Sequence, residues 1–354
     1  MVSAQLTRVA TPVSRRYSCY TTAMTEDIAG YKAVARLYNA LMTGLVLTLI
    51  GRKGAEDARR FVFAHFRRQH LEKFLPGLKK LGLDGLPDAV ACAQYHYFSN
   101  ALGGVKTEYV AESARKAWVR YPPPRWIWQG TAICAVPREV NEAMLHGWHG
   151  HNGVSLRNPR LGFVCTAQTV EGDAGLEGYY FEYDHDIAPE QRVRFAPGER
   201  MAKFDPAQAP KLDSEGWPEA RLRKVERSYA MEYVRSLLPT MQDLFGPEEA
   251  AALVSRTARL IGLQFFEETS ALAGAPSFAR YLAAMQEAQG ENIELHDDTL
   301  VQHGWRLMEG VALEHASLAF GAWNALWEGT LAAHDRDRTL QTERAGDSII
   351  WRIT

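Results

Sequence analysis

Three of the chain's 11 histidines fall within six residues, in Leu145-His146-Gly147-Trp148-His149-Gly150-His151-Asn152. Neutral imidazole ligates transition metals well, and one imidazole serves as the axial ligand of haem (heme) iron. On a helix His146 and His149 share a face, whereas in extended backbone His149 and His151 do. His149 and His151 are therefore the candidate metal ligands, with His146 beside them. Three readings stay open: a helix end with capping histidines, haem ligation by one of them, or a non-haem metal site. Gly147, Gly150 and Gly153 leave one helix face without side chains, where a neighbouring helix or a flat ligand can approach.

Aromatic residues surround this cluster in sequence: Trp118, Tyr121, Trp126, Trp128 and Phe163, with Trp148 inside it. They suit stacking against an aromatic ligand, although core packing is the ordinary role of each. Tyr121-Pro122-Pro123-Pro124-Arg125 reads as a rigid connection, and Arg120 and Arg125 are cations for a carboxylate or for solvent. Asp184-His185-Asp186 reads as a surface turn and His296-Asp297-Asp298 as a helix N-cap. His303 is a weaker candidate for the same internal space. Glu267-Glu268 points two ways on a helix, so joint acid-base work is not expected. The chain has no GxSxG elbow, Walker loop, HExxH or GxGxxG after a strand, which argues against a fold-defining nucleotide.

The elements that must hold these residues come in two similar series. Val34, Leu37, Tyr38, Leu41 and Leu45 mark a helix over 31–53, broken at Gly54-Ala55-Glu56-Asp57-Ala58. A second helix through Phe61 and Leu71 and a third from Asp88 to about Asn100 follow. Further on, a helix from about Arg227 to Phe245 meets Gly246-Pro247-Glu248-Glu249-Ala250, then Leu253–Ser270 and Phe278–Gln289. Each series closes with two β-rich runs about a Gly-Asp turn, Leu161–Thr169 with Tyr179–Tyr183 and Thr339–Thr342 with Ile349–Ile353. The fold class expected is α+β, two diverged copies of a helical unit followed by an antiparallel β-hairpin, arranged as a pseudo-dimer. The boundaries expected are a tail over 1–24, a first copy over 25–187, a Pro-rich connector over 188–224 and a second copy over 225–354. Where the first copy has glycines, the second has Trp323, Leu326 and Trp327, so the first is the expected active half, with an opened cavity.

Bulk properties narrow the partners. The 354 residues carry 40 Lys and Arg against 42 Asp and Glu, a formal net charge of −2, with no footprint for nucleic acid or an anionic membrane. The doublets Arg59-Arg60, Arg67-Arg68 and Lys79-Lys80 read as a solvated helix face. Cys19, Cys92, Cys134 and Cys165 form no CxxC, which speaks against a disulfide scaffold or thiolate zinc site and for a reducing, cytoplasmic setting. The apolar run Leu41–Ile50 is about half of what a bilayer span needs and reads as buried helix.

The order of elements resembles the 4-vinyl reductase domain family, carried by Gly147–Gly153 with the Leu161–Tyr183 hairpin and by Trp323–Gly329 with the Thr339–Ile353 hairpin. That family often has cysteines at the Gly-Asp turn, where this chain keeps Cys165 alone. Ala258-Arg259-Leu260-Ile261-Gly262 is similar to bacterial aminothiazoline-carboxylate hydrolases. In length and in its aromatic-rich first copy the chain also resembles the trans-anethole oxygenases, which cleave a phenylpropene side chain. The histidine-glycine cluster in its aromatic setting, together with this resemblance, points to a haem-dependent oxygenase for a small apolar aromatic substrate, and the chain is expected to be a monomer or homodimer. His149 or His151 would be the axial ligand, Gly150 and Arg125 would contact the cofactor, and Trp148, Tyr121, Trp118, Trp128 and Phe163 the substrate. A hydrolase of a small cyclic amide or thiazoline and a non-catalytic aromatic-binding module are the alternatives.

Overall fold

The computed structural model describes residues 19–354 apart from 125, 126 and 214, with side chains outside 19–29, 219, 220, 223, 224, 226 and 227. The expected tail over 1–24 falls largely outside these residues, as do the calls on Arg125 and Trp126.

Two long helices, α1 (Cys19–Lys53) and α2 (Ala55–Lys80), are separated by the single residue Gly54. Its φ of +92° lies where side-chain-bearing residues are strained, so glycine is what lets the chain reverse there. Glu56 and Asp57 then occupy the first turn of α2, where the helix dipole favours acids. The same device recurs between α6 (Glu219–Phe245) and α7 (Pro247–Ala273), at Gly246 with φ +79°. After α2 come α3 (Asp88–Leu102), the hairpin β1 (Glu108–Ser113) and β2 (Lys116–Tyr121), and α4 (Arg138–Gly147). A tight turn, His149–His151, leads into the one-turn helix α5 (Asn152–Ser155), followed by β3 (Leu161–Ala167), β4 (Leu176–Glu182) and β5 (Val193–Phe195). After α7 the order is α8 (Phe278–Ala288), β6 (Ile293–His296), β7 (Thr299–His303), α9 (Ala316–His334), β8 (Leu340–Ala345) and β9 (Ser348–Ile353).

The first sheet runs β1-β2-β4-β3-β5, antiparallel except for the parallel β3–β5 edge; the second runs β6-β7-β9-β8 and is antiparallel. Alternation along the strands sorts the first sheet's side chains by face. Val119, Tyr121, Phe163 and Tyr180 turn toward the helices, while Trp118, Val164 and Tyr179 form a small cluster on the other face. One continuous core joins both halves of the chain, so the halves do not have separate interiors. Helix α1 packs on α7 and α6 packs on α2, while α8 packs on α1 and α3 on α6.

Two boundaries differ from the sequence expectations. Helix α6 begins at Glu219, directly after Pro218, whose fixed φ suits the residue that opens a helix, so the connector ends earlier than expected. Strand β5 lies inside the expected connector and joins the first sheet beside β3. The helix expected over 31–53 is present, but its apolar stretch exceeds the run Leu41–Ile50: Gly30–Lys53 is long and apolar enough to span a membrane by length and composition. Its Val34, Leu37, Leu41 and Leu45 are each nearly inaccessible, so this hydrophobicity is spent on the core.

Candidate functional site

A cavity of about 630 Å³ opens in the first half, between α2, α3, α4 and the second half's α6. Its apolar wall comes from Phe66, Tyr95, Tyr121, Met144, Trp148 and Leu176. Tyrosine rings are seated by glycines that could not carry a Cβ. A Cβ on Gly77 would lie 2.5 Å from the Tyr95 ring, and one on Gly103 would lie 2.5 Å from the Tyr229 ring. Pro76, inside α2, has no N–H to give the carbonyl of Glu72, and both residues line the cavity. At the mouth, the Arg221 guanidinium lies 4.0 Å from the centre of the Trp217 ring and the Lys80 ammonium 5.6 Å from it. Lys73 is paired with Glu232 at 3.0 Å.

Two stacked imidazoles, His96 from α3 and His149 from the turn after α4, line the cavity. Their centroids are 4.2 Å apart and their planes differ by 10°. The other side of His149 packs on Phe163 at 4.3 Å, and its Nδ1 is hydrogen-bonded to the Tyr180 hydroxyl at 2.7 Å. His96 Nε2 is buried with no hydrogen-bond partner among the described residues. Burial first, then the neighbouring His149 and His70, hold the His96 pKa well below the usual imidazole value, so both its nitrogens are not protonated together at neutral pH.

The structure separates the sequence candidates. His149, Trp148 and Tyr121 meet at the cavity. Phe163 stands behind it as packing for His149 and Tyr180. His151 does not line the cavity; it is half-buried beside Phe63 and His70, with Nδ1 bonded to the His146 carbonyl at 2.9 Å. His146 is exposed, near Phe195. The tight turn at His149–His151 is the cause, because it sends the three rings in different directions. Trp118 lies on the sheet face away from the helices, its indole N–H donating to Glu112 at 2.8 Å. Trp128 is fully buried in the core and donates to Asn141 at 2.9 Å. Arg120 pairs with Glu108 at 2.6 Å. His185 pairs with Asp184 at 2.7 Å on the surface, and exposed His303 lies 3.2 Å from Glu294.

The glycines serve chain approach rather than an opening for a ligand. A Cβ on Gly147 would lie 2.6 Å from the Phe63 carbonyl, one on Gly153 2.7 Å from the Leu161 carbonyl, and one on Gly150 2.9 Å from Val193. Sequence reasoning passed over His96, His70, Asn152 and Tyr180. Its available signal was a polar residue on the apolar face of α3, inside the run Tyr95-His96-Tyr97-Phe98. Among the described residues no three His, Cys, Asp or Glu side chains converge to hold a metal ion. No family model, curated protein or solved structure matches this chain.

Proposed function

We propose that the first-half cavity is the active site of a haem-dependent oxygenase acting on a small apolar aromatic substrate of phenylpropene type. The observation that carries this reading is the stacked His96–His149 pair set into a wall of aromatic side chains. The fit to haem rests on three features of these residues. A haem needs a single protein nitrogen, and His96 offers a buried one that no other described residue engages. The aromatic and aliphatic wall suits a flat macrocycle and an apolar substrate, and Arg221 sets positive charge in the lining for a carboxylate. Bound haem would supply dioxygen activation. The chain's own residues would ligate it through His96 or His149, orient the substrate against Trp148 and Tyr95, and keep water away.

The halves are read here as diverged copies arranged as a pseudo-dimer. The supporting facts are the matching order of elements, the Gly54 and Gly246 reversals, and the reciprocal packing of α1 on α7 and α6 on α2. The space in the second half is filled: Trp323, Trp327 and Trp351 are nearly inaccessible, and the Trp323 indole donates to Tyr38 at 3.0 Å.

The test is a visible spectrum of haem-supplemented full-length protein with aerobic and anaerobic turnover of a phenylpropene. A Soret band, with oxygen-dependent cleavage lost in His96→Ala or His149→Ala, is the expected result. Turnover without oxygen or a Soret band would replace the oxygenase with the hydrolase reading, and saturable binding without product would leave a binding module.

A further inference from the structure

Arg221, in the first turn of α6, brings a half-buried guanidinium to the cavity lining without an acid to answer it. Its Nη1 donates to the Gly216 carbonyl, and its central carbon lies 4.0 Å from the centre of the Trp217 ring. Both partners are uncharged. Asp213, which anchors that turn, accepts from the backbone N–H groups of Glu215 at 3.2 Å and of Gly216 at 2.8 Å, so its carboxylate is spent on the loop. Of the two acids in the lining, Glu232 is engaged by Lys73 at 3.0 Å and Arg235 at 3.6 Å, and Glu72 is exposed to solvent. Among the described residues no carboxylate lies within ion-pair distance of Arg221. A guanidinium donates in a fixed planar fork and has no lone pair to share. With Nη1 used, the Nε–H and Nη2–H groups along its side remain as a pair spaced for the two oxygens of a carboxylate.

We propose that the cavity takes an aromatic carboxylate, with its flat body against Tyr95 and Trp148 and its carboxylate on the Nε–Nη2 edge of Arg221. The Tyr95 and Trp148 ring planes differ by 24° with centroids 6.2 Å apart, which gives a wall on which a planar ring system can lie. Trp217 is 8% exposed, and by stacking on the guanidinium it holds the charge at the lining before any ligand arrives. Size narrows the class further. The cavity's 630 Å³ is several times the roughly 150 Å³ that accepts one benzene ring, so the aromatic body is larger than a single ring. Two sources carry this chemistry, an aromatic acid as substrate and haem through its own carboxylates. The inference rests on the cavity's being the site for an aromatic molecule, and it changes the substrate from a hydrocarbon to an acid or assigns Arg221 to the haem.

The experiment compares naphthylacetate with naphthylacetamide, which has the same shape and no charge, by fluorescence titration of full-length protein. The acid should bind about tenfold more tightly, the low end for a charge-assisted hydrogen bond because Arg221 is part-exposed, and the preference should shrink as salt is added. Arg221→Gln should abolish the preference while leaving the affinity for the amide unchanged, which shows that the cavity is intact. Arg221→Lys keeps the charge without the fork and should restore part of it. Haem against its dimethyl ester separates the two sources. If the carboxylate is haem's, haem binds about tenfold more tightly than the ester in wild type and not in Arg221→Gln, and it displaces naphthylacetate. If it is the substrate's, haem and ester bind alike and the loaded protein still prefers the acid. Equal affinity for acid and amide, binding of neither, or a preference that survives Arg221→Gln overturns the proposal. A Soret band without the acid preference keeps the oxygenase and removes this inference, whereas an acid preference in protein that takes up no haem does the reverse.

Discussion

His65 gives the sharpest quantitative expectation, because nothing polar answers it. The ring is fully inaccessible, stacked on Tyr233 at 5.8 Å and set edge-on to Phe66 at 5.3 Å, and neither nitrogen has a hydrogen-bond partner among the described residues. Burial first, and then the charge of Arg68, brings its pKa from 6.5 down to about 3. Above pH 6.5 the ring is neutral folded and unfolded, and it contributes no pH dependence. Below that the unfolded chain takes up a proton that the folded chain refuses, so stability falls with pH at about 1.4 kcal/mol per unit until pH reaches about 3. Between pH 6.5 and pH 5 the loss from this residue alone is about 2 kcal/mol. His65→Phe keeps the aromatic stack and removes both unpartnered nitrogens. Urea unfolding at pH 8 and pH 5 should therefore show wild type losing about 2 kcal/mol more than the variant over that interval. At pH 8 the variant should already match or exceed wild type, since unsatisfied buried polar atoms are removed. Parallel losses in the two proteins would refute the argument, because they would mean that His65 finds a proton partner in the folded state.

Three further expectations concern packing. Gly147→Ala sets a methyl 2.6 Å from the Phe63 carbonyl and must push α4 from α2; about 1–3 kcal/mol lost in urea unfolding is expected, with weakened aromatic-ligand binding by fluorescence titration. Gly329→Ala meets the Arg259 carbonyl at 2.2 Å, far from the cavity; a similar or larger fall in stability should leave ligand affinity per folded molecule unchanged. Trp323→Ala empties a fully buried indole site and strips Tyr38 of a donor, so about 3–5 kcal/mol should be lost, and indole should restore part of it in thermal melts.

The helices and hairpins were legible because their signals are local: apolar spacing in Val34, Leu37 and Leu41, acids after Gly54 and Gly246, and Gly-Asp turns between strands. The cluster His146–His151 spans the end of α4 and the turn after it. It could not show that one histidine of the three reaches the cavity, because that is decided by the tight turn at His149–His151, where both helical and strand spacing rules fail. His96 was invisible for a different reason. Its partner His149 lies far along the chain, and the pairing exists once α3 and the turn after α4 are both laid on the inner face of the first sheet. Trp118 and Trp128 illustrate the converse error, since closeness in sequence to the histidines put neither of them at the site.

The cavity's origin lies in the helix that crosses from the other half rather than in the glycines of α4. Counted back from Gly246, α6 carries Tyr229, Glu232 and Tyr233 at the positions where α1, counted back from Gly54, carries Leu37, Ala40 and Leu41. On α1 those small and aliphatic side chains are buried, and Gly30 lies close enough to α8 that a Cβ there would be 3.1 Å from Ala288, so the two helices close on each other. On α6 the Tyr229 ring stands between it and α3, seated on Gly103 and donating to Asn100 at 2.8 Å, and the helices are held apart. A bulky, hydrogen-bonded spacer stands at the void in one half, and leucine and alanine pack closely at the same distance from the glycine in the other. It follows that the second half is needed for the site without holding one: without α6 the wall of Tyr229, Glu232 and Tyr233 is gone, and the stacked histidines would face water.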